Sequence, residues 1–240
     1  MARIIELFSP GVLDDEAVVR RIGSELDGGR AVVIQNALRA ELAEKVHREL
    51  DACTAWKPYE GASPFFHYRH HNLYAEKEFP PSVLELKREF DDPSTKEFIG
   101  RLSKRDCSGV LDFGASWYLP GDHSLPHQDS GLDRSVAFLW HLTKNWDSCW
   151  GGGFFWCPSG TTVLPQFNCL TLFNVSAGSS HFVTVVSQCA REKRLALNGW
   201  WTGKTASPAH DEPPADRTLD AAGYGARPEP IDRSARIIAI

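Results

Sequence analysis

From about residue 109 the chain writes six short apolar runs separated by turn residues: V-L-D-F-G-A-S-W-Y-L, S-V-A-F-L-W-H-L, G-F-F-W-C, N-C-L-T-L-F-N-V, H-F-V-T-V-V and R-L-A-L-N-G-W-W. Runs of this length, rich in β-branched and aromatic residues and recurring at short intervals, predict a β-sandwich or barrel. The upstream pattern is different. Apolar positions fall at helical spacing over 12–26 and 38–51, and Gly28-Gly29 stops the first helix before the strand-like R-A-V-V-I-Q-N. Residues 82–104 read as one or two helices broken at Asp92-Pro93. Helices first and strands afterwards predict an α+β domain in which helices buttress one face of two sheets.

Length and composition bound the rest. A chain of 240 residues with 42% apolar content supports one domain with a full core, and no stretch approaches the length of a membrane span. The net charge of −5 is scattered without a basic stripe, which argues against an electrostatically held nucleic acid. The opening M-A-R-I-I-E-L-F lacks the apolar core of a signal peptide, so a cytoplasmic location is expected. The six cysteines include no C-x-x-C and read as buried or incidental thiols. Oligomeric state stays open between monomer and homodimer.

Chemistry concentrates at the end of W-Y-L-P-G-D-H-S-L-P-H-Q-D, residues 117–129. In an extended strand residues two apart share a face, so His127 and Asp129 can close on one metal ion, and His181 on a later strand can complete the set. Two histidines and a carboxylate with open positions suit a non-haem Fe(II) oxygenase. The motif alone is weak, because His47-Arg48-Glu49 and His210-Asp211-Glu212 also fit His-x-acid. The first of those sits on a helical pattern, where positions two apart do not face each other, and the second lies in a Pro-rich tail.

Alternation in R-L-A-L-N-G-W-W puts Arg194, Ala196, Asn198 and Trp200 on one face, and Leu195, Leu197 and Trp201 on the other. A strand apolar on both sides is buried, and a buried Arg needs an anion. That anion is either a bound carboxylate or an internal Asp or Glu. Tyr118 shares a face with Ser116 and Asp112. The segment from Trp56 to Tyr74 shows no clear period, is crowded with rings and histidines, and reads as a long irregular loop at the substrate side.

The residues from Trp117 to Trp201 resemble the catalytic half of the Fe(II) and 2-oxoglutarate dependent dioxygenases, in particular the prolyl 4-hydroxylase-like branch. The resemblance is carried by Tyr118 with Pro120-Gly121, by His127 and Asp129, and by Arg134 through L-T-K-N-W at 142–146. It continues through Gly151-Gly152-Gly153, P-Q-F-N-C-L-T-L-F at 165–173, His181, and Arg194 with Trp200. It implies a double-stranded β-helix, or jelly roll, over 109–204. Residues 1–108 would supply the helical buttress and substrate-side loops, and 205–240 an irregular extension.

It further implies that His127, Asp129 and His181 hold Fe(II). The cosubstrate 2-oxoglutarate would chelate the metal, its far carboxylate paired with Arg194 and hydrogen-bonded by Tyr118, with His141, Leu139 and Ala137 beside it and O2 at the last open position. His141 stands where prolyl hydroxylases tend to have Tyr, which leaves open whether it reaches the cosubstrate or the substrate. A hydroxylase acting on an aliphatic C–H bond of a free amino acid or similar small molecule is the first expectation. The alternatives are a peptidyl prolyl hydroxylase and, further off, a non-catalytic binding barrel; a zinc-type hydrolase would have no use for Arg194. Substrate contacts are expected from Arg69, His70, His71 and Tyr74, in a segment closing as a lid, and from Asp112, Ser116, Asn198 and Trp200.

Overall fold

The computed structural model describes residues 2–63, 66–204 and 238–239. Five α-helices are present among them: α1 (Arg3–Leu7), α2 (Glu16–Asp27), α3 (Ala40–Ala52), α4 (Pro81–Asp91) and α5 (Pro93–Ser103). Strands before residue 109 are β1 (Val32–Gln35), β2 (Lys57–Ala62) and β3 (His67–Leu73). Those that follow are β4 (Leu111–Tyr118), β5 (His123–His127), β6 (Arg134–His141), β7 (Phe154–Trp156), β8 (Thr161–Val163), β9 (Cys169–Asn174), β10 (His181–Val183), β11 (Arg194–Thr202) and β12 (Ile238–Ala239).

Local chemistry accounts for the helix limits. The Asp15 carboxylate accepts from the backbone N–H groups of Ala17 and Val18 and so caps α2. Asp92 does the same for α5, accepting from the Ser94 N–H at 2.9 Å with Pro93 in the first helical turn. That cap and that proline force the predicted break between α4 and α5.

The strands run in the order β12-β1-β9-β6-β11-β4-β3-β5-β10-β7-β8, with β2 paired to β3. The path turns a corner at β3, whose C-terminal half pairs with β4 (Asn72 opposite Ser116) and whose N-terminal half pairs with β5 (Tyr68 opposite Ser124). Two layers result: β9-β6-β11-β4 against the helices, and β5-β10-β7-β8 facing it, in the double-stranded β-helix arrangement. Leu195, Leu197 and Trp201 of β11 and Val136, Phe138 and Trp140 of β6 pack outward onto Ile22, Val83, Leu86, Phe90 and Ile99 of the helices. Between the layers lies a smaller core built on Ala137, Phe154, Trp156, Cys169 and Phe173.

Several expectations change. Residues 56–74 form the hairpin β2-β3 on either side of the undescribed 64–65, not an irregular loop, because β3 gains ladder partners on β4 and β5 that its mixed side chains do not advertise. Helices therefore do not all precede strands. The H-F-V-T-V-V run keeps its strand only to Val183, and Val185 beyond it is 58% exposed. Of the tail expected to be irregular, 205–237 lies outside the described residues, while Ile238–Ala239 pairs in parallel with β1. All six cysteines are free, with Cys149 and Cys189 exposed. Among the described residues no helix is long and apolar enough to cross a membrane.

Candidate active site

His127, Asp129 and His181 converge at one end of the space between the layers, each offering a ligand atom within 4.8 Å of the others. Register places the two histidines: His127, the last residue of β5, lies directly opposite His181, the first of β10, and their ring centroids are 4.4 Å apart. Asp129 arrives by a different route from the one expected. Strand β5 has ended, and Asp129 adopts a left-handed φ of 57°, which turns its carboxylate back between the rings. Asp is among the few non-glycine residues that tolerate this region. Its Oδ1 lies 3.3 Å from His127 Nε2 and its Oδ2 3.3 Å from His181 Nε2.

The tautomers are set from behind. His127 Nδ1 donates to the Leu125 carbonyl at 2.8 Å, and His181 Nδ1 donates to the Ser179 carbonyl at 2.8 Å. A carbonyl can only accept, so each ring carries a proton on Nδ1, which leaves Nε2 as the nitrogen turned inward and available to a metal. The Trp200 indole donates to Asp129 Oδ2 at 3.0 Å, and Arg134 stacks on the Trp200 ring at 3.5 Å while pairing with Asp112 at 2.8 Å. Burial works to raise the Asp129 pKa, but His181 and His127 hold it well below the usual carboxylate range. The donor set fits a divalent metal, with two imidazole nitrogens and one ionised carboxylate on one side of an open space.

Arg194 lies along β11 on the same inner face and is fully buried. Its Nε donates to the Gly152 carbonyl, and its Cζ sits 4.4 Å from the centre of the Tyr118 ring. Gly152 must be glycine: its φ is +66°, and a Cβ there would meet the Arg194 side chain at 3.0 Å and Val186 at 3.1 Å. Among the described residues neither Nη1 nor Nη2 has a partner, and burial pulls the Arg194 pKa down to about 10. A buried guanidinium fork with no carboxylate beside it among the described residues calls for an anionic ligand. Tyr118, opposite Arg194 in register, has its pKa pushed up to about 12 by burial.

Register puts His141, Leu139 and Ala137 of β6 on this inner face, across from Ala196, Asn198 and Trp200. Ser116 joins them, opposite both Ala196 and Asn72. Both His141 nitrogens, the Asn198 Oδ1 and the Thr171 Oγ1 are buried without partners among the described residues. The hairpin adds His70, stacked on Tyr118 at 4.7 Å and nearly parallel, its pKa pulled down to about 3 by burial and by Arg194. Tyr74 lies over Gly114, where a Cβ would meet its ring at 2.9 Å. Arg69 and His71 are not brought to the cluster. They alternate to the outer face, where Arg69 Nε donates to buried Asp122 at 2.8 Å and His71 Nδ1 is 3.8 Å from the same carboxylate. The expected lid is thus part of the sheet. Asp112 is committed to Arg134 and Trp200 to Asp129.

Four contributors escaped the sequence reading in these roles: Arg134, Gly152, Asp122 and the ring wall of Tyr59, Phe66 and Tyr68. The wall runs from Tyr59 stacked on Tyr68 at 5.0 Å to Phe66 edge-on to His127 at 5.2 Å. Alternation of rings in β2 and β3 is its sequence signal, legible only once both are known to be strands.

Residues 113–202 match the family model described as the 2OG-Fe(II) oxygenase superfamily, and the match spans the triad, Tyr118 and Arg194. That segment is similar to the 2OG-Fe(II) oxygenase superfamily. The chain is 24% identical over 139 residues to prolyl 3,4-dihydroxylase OGFOD1 of Ostreococcus tauri, covering 52% of this chain and 27% of that one. It is 32% identical over 105 residues to prolyl 3-hydroxylase sudestada1 of Drosophila melanogaster, covering 38% and 19% respectively. Both alignments thus span about a quarter or less of the relative's length. The fold is similar to that of a Pseudomonas putida prolyl-4-hydroxylase, with a TM-score of 0.58 and 19% identity over 78% of this chain and 99% of that one. Enzymes of this superfamily are oxygenases that use Fe(II) and 2-oxoglutarate, and the site's donors fit both.

Proposed function

We propose that this protein is an Fe(II)- and 2-oxoglutarate-dependent hydroxylase whose substrate is a prolyl residue within a peptide or protein. The observation that carries the reaction class is the pairing, between the same two layers, of three inward metal donors with a buried Arg194 fork that has no partner among the described residues. His127, Asp129 and His181 would hold Fe(II), and Arg194 would take the remote carboxylate of 2-oxoglutarate. Together with O2 these supply the oxidising power to place one oxygen atom on a C–H bond, releasing succinate and CO2.

The protein's own groups orient and isolate. The carbonyls of Leu125 and Ser179 fix which imidazole nitrogen faces the metal, and the Trp200 indole restrains the Asp129 carboxylate. Rings from the hairpin keep water from the reacting face.

Charge accounting supports a peptidyl substrate over a free amino acid. A buried ammonium and carboxylate would each need a charged partner. Around the triad, Arg134 is shared between Asp112 and Asp129, and the fork of Arg194 is allotted to the cosubstrate. Aromatic walls such as Tyr59, Tyr68 and Tyr74 instead suit a neutral, saturated ring within an amide chain. The prolyl hydroxylases among the relatives point the same way.

The test is succinate formation and gain of one oxygen atom by mass spectrometry across proline-containing peptides, free proline and other amino acids. Peptides should be oxidised and free amino acids spared. The His181→Ala variant should lose both signals while keeping its circular dichroism. Oxidation confined to free amino acids would restore the small-molecule reading. Succinate production by His181→Ala would remove the metal assignment.

A further inference from the structure

The β2-β3 hairpin is fastened to β5 by a chain of three hydrogen bonds that serves neither the metal donors nor Arg194. His67 Nε2 lies 2.9 Å from Glu60 Oε1, His67 Nδ1 lies 2.9 Å from His123 Nε2, and His123 Nδ1 lies 3.2 Å from the Gly121 carbonyl. Register brings these groups together. Glu60 stands opposite Arg69, Arg69 stands opposite His123, and His67 is two residues along β3 from Arg69. Opposed residues, and residues two apart, share a face, so all four project from the outer side of the sheet.

Counting protons decides the charge of the chain. The Gly121 carbonyl can only accept, so His123 Nδ1 carries a proton. A second proton must lie between His123 Nε2 and His67 Nδ1, whichever ring holds it. A third must lie between His67 Nε2 and the Glu60 carboxylate, because two bare acceptors at 2.9 Å would repel each other. Two neutral imidazoles supply only two protons. The closed chain therefore holds one proton more than two neutral histidines beside a carboxylate, and Glu60 is the anion that balances it.

The charges around the chain are matched elsewhere. Arg69 Nε donates to Asp122 Oδ1 at 2.8 Å, and His71 Nδ1 lies 3.8 Å from the same carboxylate. Lys57 of β2 pairs with Glu78, and Lys193 pairs with Asp51. Position gives the extra proton its effect. His67 follows Phe66, whose ring is edge-on to His127 at 5.2 Å, and precedes Tyr68, stacked on Tyr59 at 5.0 Å. Whatever fastens His67 to β5 also fixes the ring wall beside the metal donors.

We propose that Glu60, His67 and His123 form a proton-held latch that keeps the β2-β3 hairpin against β5 and opens when its third proton is withdrawn. Linkage sets the direction. Two independent histidines in the unfolded chain, each with an ordinary pKa of about 6.5, give up their protons as pH rises, while the closed latch keeps one. The latch therefore stabilises the hairpin most near neutral pH, and that stabilisation is lost as pH climbs and the third proton leaves. With Glu60 56% and His67 31% exposed, solvent holds the effect to about that of one hydrogen bond.

The test is amide hydrogen exchange of the β3-β5 ladder around Tyr68, Arg69, His123 and Ser124, corrected for the intrinsic pH dependence of exchange. Zinc-loaded protein is used, so that the metal keeps His127 and His181 from titrating. Between about pH 6.5 and pH 8.5, protection in the unaltered protein should fall roughly two- to tenfold. Glu60→Gln separates the proton from the contact. Its side-chain amide can donate to a bare His67 Nε2, which closes the chain with two protons, so protection should stay high at both values. His67→Phe removes the chain, and protection should be low at both. His71→Gln leaves the latch intact and should keep the fall. Equal protection at both values in the unaltered protein would overturn the latch and leave its hydrogen bonds as incidental surface contacts. A fall that persists in Glu60→Gln, or that disappears in His71→Gln, would overturn it in favour of the His71–Asp122 pair.

Discussion

Arg194 concentrates the electrostatic argument in one side chain. Removing a buried cation is ordinarily harmful because its partner is stranded, but among the described residues the Arg194 fork has no partner to strand. Arg194→Leu should therefore leave the fold intact, and even relieve the desolvation that lowers the guanidinium pKa to about 10. The loss should fall on the cosubstrate: the 2-oxoglutarate concentration needed for half-maximal succinate release should rise by one to three powers of ten, following from roughly 2–5 kcal/mol for a lost charge-assisted pair. Unchanged cosubstrate dependence would return Arg194 to a structural role. Tyr118 and His70 act at the same scale by contact, since the tyrosine ring lies against both the guanidinium and the His70 imidazole. His70 is uncharged at neutral pH, so it adds no second positive charge beside Arg194.

At the scale of elements, the β2-β3 hairpin is the part whose reading changed most. Successive residues of β3 do opposite jobs: Arg69 reaches outward to the Asp122 carboxylate in the turn between β4 and β5, and His70 reaches inward to Tyr118. Asp122 is 2% exposed and also accepts from the Leu119 N–H at 2.8 Å, so the clasp ties the hairpin to the strand that delivers His127. Arg69→Ala leaves that carboxylate short of a partner while its own long side chain was half in solvent. We expect a loss of about 1–2 kcal/mol in chemical denaturation, nearer the cost of an unsatisfied buried acceptor than that of a fully buried ion pair. Arg69→Ala should not alter 2-oxoglutarate affinity directly measured on the zinc protein. A large fall in that affinity, with stability unchanged, would place Arg69 in the site after all.

For the whole molecule, the layer of helices packs against the barrel's rear wall. Trp201 is the hinge of that contact: it is 1% exposed, stacks on Phe90 at 5.5 Å, touches Phe138 at 4.9 Å and donates its indole N–H to the Phe90 carbonyl at 2.9 Å. Trp201→Ala should cost about 3–5 kcal/mol in denaturant titration, because the large ring leaves a cavity between two stiff layers. Zinc with 2-oxoglutarate should raise the midpoint of that variant, since ligands that bind only the folded state stabilise it by mass action. A change below about 1 kcal/mol would mean that the helices are ornamental to the barrel.

Much of this architecture was legible from the chain alone, for reasons of pattern. Six apolar runs with turn residues between them fix strands by periodicity, and the alternation in β11 sorts Arg194 inward and Trp201 outward without knowledge of any neighbour. The break at Asp92-Pro93 follows from capping and from a proline that cannot donate, whereas the helix read over 12–26 begins only after the Asp15 cap. The triad was legible as three residue types in the right order. What tertiary structure decided is whatever depends on pairing. The polar strands β3 and β5 carry no alternation that shouts strand, and they exist because β4 and β10 offer them ladders. The sense of Arg69 and His71 was lost with that pairing, since a residue's face is undefined until its strand is. Asp129 shows the limit most plainly: spacing suggested that it shares a strand face with His127, whereas a left-handed turn after the strand aims it, and only the His127–His181 register makes that turn end on a metal site.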